Sequence, residues 1–208
     1  MYKVMAMVLA SLLLTACAAK HAEQDAQNPT GIKHIIVMPV SIVDTSPADL
    51  AMHKKDLSAG KTVLTRLIQD YFIDNDKVSI LSEEQAESYN QTYNNNENQQ
   101  VKEICKRMHA DAVMTWNLSR YKEKDGGDYS VNHPASVAFS YRLTDINTGR
   151  VLCGSRIDQT QQSLTDNILS AKRFLHRGGK WISAEQLSRE IISDKLKECG
   201  YLTGDNVQ

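Results

Sequence analysis

Eleven residues near the amino terminus constrain this chain more than its whole composition does. Val4 to Leu14 form a nearly unbroken apolar run behind a short stretch whose single charge is Lys3. The run is too short to cross a bilayer as a helix, which takes about 20 residues. It ends in Leu14-Thr15-Ala16-Cys17, small residues at a cut site with a cysteine directly after it, which is the arrangement of an exported signal peptide. The chain is therefore expected to fold after export and without residues 1–16. Of the 208 residues, 192 then remain, and losing Lys3 moves the formal charge from −1 to −2.

The same four residues resemble the bacterial lipobox. There the cysteine thiol takes a diacylglyceryl group and becomes the new amino terminus, a reaction for which a hydroxyl is too weak a nucleophile. The resemblance implies lipid attachment at Cys17, and several acyl chains give a stable anchor where one does not. Ala18 follows the cysteine where an Asp would favour retention at the inner membrane. The implied location is the periplasmic face of the outer membrane. Residues 17–31 read as a lipidated flexible tether, polar and without apolar periodicity, with Pro29 near its end. Fully extended it reaches up to roughly 45 Å. Residues 32–201 suit a single periplasmic α/β domain, followed by a C-terminal tail at 202–208.

Composition closes some routes. A near-neutral chain with pI ≈ 6.6 has no electrostatic footprint for nucleic acid. Apolar content of 41% exceeds what a disordered chain carries.

Within the domain, Ile32 to Val43 is β-rich and apolar enough for a central strand covered on both faces, with Pro39 marking a bulge or its end. Ser46 to Leu57 reads as a polar loop. From Ser58, the residues Val63, Leu64, Leu67, Ile68, Tyr71 and Phe72 recur at helical spacing. Lys77 to Leu81 is a short strand, and Ser82 with Gln85 is a capping box. Asn90 to Gln100 reads as a solvated loop, and Val101, Ile104, Cys105 and Met108 mark a helix face. Ala112, Met114, Trp116 and Leu118 alternate with polar residues, as do Val137, Phe139, Tyr141 and Leu143. Lys122 to His133 is a charged connector. Asp145-Ile146-Asn147-Thr148-Gly149 is hairpin-turn chemistry, and Val151 to Ile157 is the paired strand. Leu164 to Phe174 has weak helical periodicity. Ser183 caps a last helix whose stripe runs through Leu187, Ile191, Leu196 and Cys199. The order is β-α-β-α-α-β-β-β-α, a mixed β-sheet packed with helices.

Three phrases follow in order after the cysteine: His34-Ile35-Ile36-Val37-Met38-Pro39-Val40, Ala110-Asp111-Ala112-Val113-Met114, and Asp145-Ile146-Asn147-Thr148-Gly149-Arg150-Val151-Leu152. The pattern resembles the lipoproteins grouped with the curli-secretion lipoprotein, the Pel polysaccharide secretion lipoprotein, the penicillin-binding-protein activator lipoproteins and the N-terminal domain of TolB. The resemblance implies an anticodon-binding or TolB-N-like sandwich. It also implies a non-enzymatic assembly or accessory role in secretion, surface-polymer export or envelope biogenesis; the alternative is a regulator that binds and activates a cell-wall synthesis enzyme. The implied partners are the membrane through the lipid, a second copy of the chain, or an envelope or secretion protein. The connector Lys122 to His133 is too short and polar to supply membrane-spanning hairpins.

Nothing local argues for catalysis or a cofactor. Ala59-Gly60-Lys61-Thr62 looks like the end of a phosphate-binding loop, but Lys55 stands where that motif needs its first glycine. The histidines at 21, 34, 53, 109, 133 and 176 show no metal-ligand spacing, and no Gly-x-Ser-x-Gly elbow occurs. Arg173, His176, Arg177 and Lys180 form the local basic cluster, a contact for a partner or lipid headgroups or simply a solvated helix end. Besides Cys17 there are Cys105, Cys153 and Cys199. An oxidising compartment allows one disulfide, with Cys153–Cys199 the expected pair because the last helix must pack on the sheet; three buried thiols are the alternative.

Overall fold

The computed structural model of the chain describes residues 31–43, 47–90, 97–162 and 178–202. Apart from Gly31, these belong to the unit Ile32–Gln208. The elements in chain order are β1 (Ile35–Ile42), α1 (Pro47–Phe72), β2 (Val78–Ile80), α2 (Glu83–Asn90), α3 (Glu97–Arg107), β3 (Ala112–Lys122), β4 (Asp125–Gly126), β5 (Val131–His133), β6 (Ser136–Asp145), β7 (Val151–Thr160) and α4 (Ala184–Lys197).

Five strands form one sheet in the order β2-β1-β3-β6-β7. β1 runs parallel to β2 and β3, while β3, β6 and β7 form an antiparallel meander. The β1 register with β3 shifts between Val37 and Val40, where Pro39 cannot donate to the ladder. The β6–β7 turn is closed by the Asp145 carboxylate, which accepts from the amides of Asn147 (2.8 Å) and Thr148 (3.0 Å). Gly149 supplies the left-handed backbone the turn needs, with φ 70°.

Strand periodicity distributes the apolar residues between two faces. The first face carries Val37, Met114, Trp116, Leu118, Phe139, Tyr141 and Leu143 against α1 and α4. Trp116 stacks with Tyr141 and Phe139 at centroid distances of 5.1 and 6.1 Å. Each large side chain so buried contributes about 1.5–3 kcal/mol. Ion pairs from Arg66 to Glu185 (2.8 Å) and from Arg189 to Asp70 (3.6 Å) join α1 to α4 at the surface, where such pairs contribute little. The second face carries a smaller cluster, Ile36, Leu81, Ile104, Cys105 and Val113, under α2 and α3.

The strand–helix order of the sheet and its covering helices is the expected one. Three expectations are corrected. The supposed loop Ser46 to Leu57 is helical from Pro47, because proline is pre-set for the first helical turn. Lys54, Lys55 and Asp56 are exposed on it, and these charged residues interrupt the apolar pattern ahead of Leu57. The supposed loop Asn90 to Gln100 ends in α3, which begins at Glu97. The connector Lys122 to His133 folds into the β4–β5 hairpin, whose turn is closed by the Gly127 amide donating to the Ser130 carbonyl at 2.8 Å. Leu202, the last described residue, is only 4% exposed and its carbonyl accepts from Asn75 Nδ2 at 3.1 Å. β7 also runs on to Thr160, past Ile157. The periodic stretch Leu164 to Phe174 lies outside the described residues.

Candidate functional site

Several residues singled out by chemistry have structural posts. His34 Nδ1 lies 3.0 Å from the Met108 carbonyl, to which only a ring N–H can donate, and its Nε2 accepts from the Ser79 hydroxyl at 2.8 Å. The imidazole thus joins β1, β2 and the end of α3. Gly60, in the phosphate-loop look-alike, is mid-helix. A Cβ there would lie 2.5 Å from Tyr121 Cβ, so the glycine serves helix–strand contact. Lys61 pairs with Glu83 at 3.0 Å.

Cys153 and Cys199 are joined by a disulfide with Cα atoms 5.9 Å apart, tying β7 to the carboxyl end of α4. Cys105 is a free thiol on the buried side of α3, and burial pushes its pKa up to about 11. Cys17, Arg173, His176 and Arg177 lie outside the described residues. Lys180 is described, with its Nζ 5.7 Å from the Tyr129 ring centroid on the β4–β5 hairpin, within cation–π range. The same hairpin is latched by Trp181, whose amide donates to the Asp128 carbonyl at 2.7 Å and whose carbonyl accepts from Lys124 Nζ at 2.8 Å.

The surface most suited to binding lies on the second face of the sheet and the strand edge beside it. The second face of the sheet changes character across its width. Past Val113 it turns polar, and a row runs through Ser41, Asn117, Ser140 and Arg156 on four successive strands. The next row is Thr115, Arg142 and Gly154. Ser41, Asn117, Arg142, Gly154 and Arg156 are exposed. A third row is closed upon itself: Arg120 reaches over Ala138 to the Asp158 carboxylate and donates to Ser136 Oγ at 2.8 Å. Alternation within each strand marks these residues as exposed, but only the long-range register places them side by side.

Two further features flank this face. β7 ends the sheet, so its outer edge has no strand partner among the described residues. At the carboxyl ends of β1 and β2, a cleft of about 190 Å³ is lined by Met38, Pro39, Ile68, Gln69, Ser82 and Glu83, among others. Its position between two strands whose helices leave to opposite faces is where open α/β sheets place ligands, but of the two carboxylates at its rim, Glu83 is already paired with Lys61.

No protein-family model matches the chain, and no curated protein matches it. Solved structures are similar to it at low identity. One is a PelC dodecamer from Paraburkholderia phytofirmans, 15% identical over 77% of this chain and 86% of that chain, TM-score 0.38. Another is the LpoB C-terminal domain from Salmonella enterica, 12% identical over 67% and 92%, TM-score 0.39. A third is a hypothetical protein from Chlamydia trachomatis, 16% identical over 83% and 99%, TM-score 0.42.

Proposed function

We propose that this chain is an envelope lipoprotein, anchored through Cys17 to the periplasmic face of the outer membrane, whose domain acts by binding. It is a non-enzymatic accessory or assembly factor for secretion, surface-polymer export or envelope biogenesis. The observation that carries this reading is the Leu14-Thr15-Ala16-Cys17 run behind the apolar stretch Val4 to Leu14. The domain supports it. His34 and Cys105 are committed to the fold, while β7 has an outer edge with no strand partner among the described residues and a polar sheet face meets solvent.

The anchor is tested by labelled palmitate. Wild-type chain takes up label and fractionates with the outer membrane, and Cys17→Ser does neither. Label in the Cys17→Ser chain contradicts the anchor. Light scattering on the detergent-extracted chain then separates assembly with itself from a monomer that waits for another envelope protein.

A further inference from the structure

We propose that the outer edge of β7 and the arginine-bearing face beside it receive an extended acidic segment of a partner protein. The segment adds to the five-stranded sheet as one more strand, with carboxylates at two positions two residues apart. The inference rests on the binding role proposed above and states where and by what chemistry the partner is held.

The edge comes first. β7 is a ten-residue strand whose alternate N–H and C=O groups point away from β6. Such a row templates an added strand by main-chain hydrogen bonds. A lipid headgroup or a glycan cannot pair with that row in register.

The charge comes second. Arg66, Arg107, Arg120 and Arg189 each have a carboxylate partner, whereas Arg142 and Arg156 have none among the described residues. Both are exposed on the same face, and the pairings Arg142↔Gly154 and Ser140↔Arg156 make them diagonal neighbours. Two like charges so placed repel each other, and carboxylates on an adjoining strand relieve that repulsion. Arg156 meets the residue directly opposite it on the added strand.

Arg142 reaches the same strand from one strand further in, because Gly154 between them has no side chain. Only glycine fits there: a Cβ would lie 2.8 Å from the Tyr141 carbonyl oxygen and 3.3 Å from Arg142 Cα. The fold already makes a contact of this kind, since Arg120 on β3 crosses Ala138 on β6 to pair with Asp158 on β7. By the same reach Arg142 crosses Gly154 to a carboxylate opposite it. Positions 154 and 156 share a face two residues apart, which sets the spacing of the acidic pair.

The test uses the full chain purified in non-ionic detergent and a fluorescein-labelled ten-residue peptide in which glutamate alternates with valine. A second peptide has glutamine for every glutamate. At low salt the glutamate peptide is expected to bind about tenfold more tightly. Arg142→Gln with Arg156→Gln removes most of that preference, and Arg150→Gln in the neighbouring turn leaves it intact. Hydrogen exchange slows in β7 on binding and is unchanged in β1. Equal affinity for the two peptides, a preference that survives in the double variant, or no protection in β7 overturns the proposal. So does arginine-dependent binding to phosphatidylglycerol vesicles without peptide preference, which assigns the face to a lipid surface. Palmitate labelling of Cys17 reads the anchor separately, so failure here removes the edge and leaves the lipoprotein reading standing.

Discussion

On one side of the sheet Trp116, Phe139 and Tyr141 stack beneath α1 and α4. On the other, one residue along the same strands, Asn117, Ser140 and Arg142 sit on a face that the helices leave open past Val113. The backbone is shared and the period of two does the sorting. The difference teaches where this molecule concentrates its stability and where it has freedom to vary. The first face joins four strands and two helices into one core and is locked at its edge by Cys153–Cys199. The open part of the second face contributes little packing, so substitution there is expected to alter binding without unfolding the domain.

That contrast is most easily broken at Trp116, which is 1% exposed. Trp116→Ala is expected to cost about 4 kcal/mol, read by urea denaturation, through lost burial and the cavity left behind. A cost below about 1 kcal/mol would mean that the first face is not the core. Opening the disulfide is next. Cys153→Ser with Cys199→Ser removes a link spanning 46 residues and is expected to lower stability by up to about 4 kcal/mol in the chain-entropy account. Peptide mass mapping of alkylated, unreduced protein checks the link itself.

The covered part of the second face has a pH signature. Burial raises the Cys105 thiol from 9.0 to about 11, so between those values the unfolded chain gives up a proton that the folded one keeps. Stability then falls as pH rises, by about 1.4 kcal/mol for each unit in that window. Tyr121, also buried and raised to about 12, continues the same trend above pH 10. Cys105→Ala is expected to flatten the part between 9 and 10 and to make the slope shallower from 10 to 11, measured as denaturation midpoint against pH. The smallest effect belongs to the open face: Arg142→Gln with Arg156→Gln is expected to stay within about 0.5 kcal/mol of wild type. A larger loss would show that these arginines serve the fold.

Much of this architecture is legible from local pattern. The alternation through Val137, Phe139, Tyr141 and Leu143, the Asp145 to Gly149 turn and the Ser183 cap are each specified within a few residues. The cap is formed as expected, with Ser183 Oγ accepting from the Gln186 amide at 3.1 Å. The start of α1 was illegible for a physical reason. The stretch before Leu57 includes Lys54, Lys55 and Asp56, which reach into solvent, so charged residues interrupt the apolar pattern there. The β4–β5 hairpin was hidden likewise, since its burial pattern is exposed nearly throughout. The binding face was the least readable feature. Arg142 and Arg156 stand 14 residues apart in sequence, and neither is marked by its neighbours. What makes them a pair is the β6–β7 register together with the absent side chain of Gly154.

Crosslinking in living cells tests most directly whether the open edge is the working surface. A photoreactive phenylalanine derivative would be placed at Val151 and Thr160, the two exposed ends of β7, and at Ile73, a still more solvent-facing site beyond α1. The expected result is an adduct of one defined mass from positions 151 and 160, none from 73, and loss of the adduct when Arg142→Gln and Arg156→Gln are added. An adduct from Ile73 alone, or edge adducts that persist without the arginines, would contradict the assignment of this edge and face to partner binding.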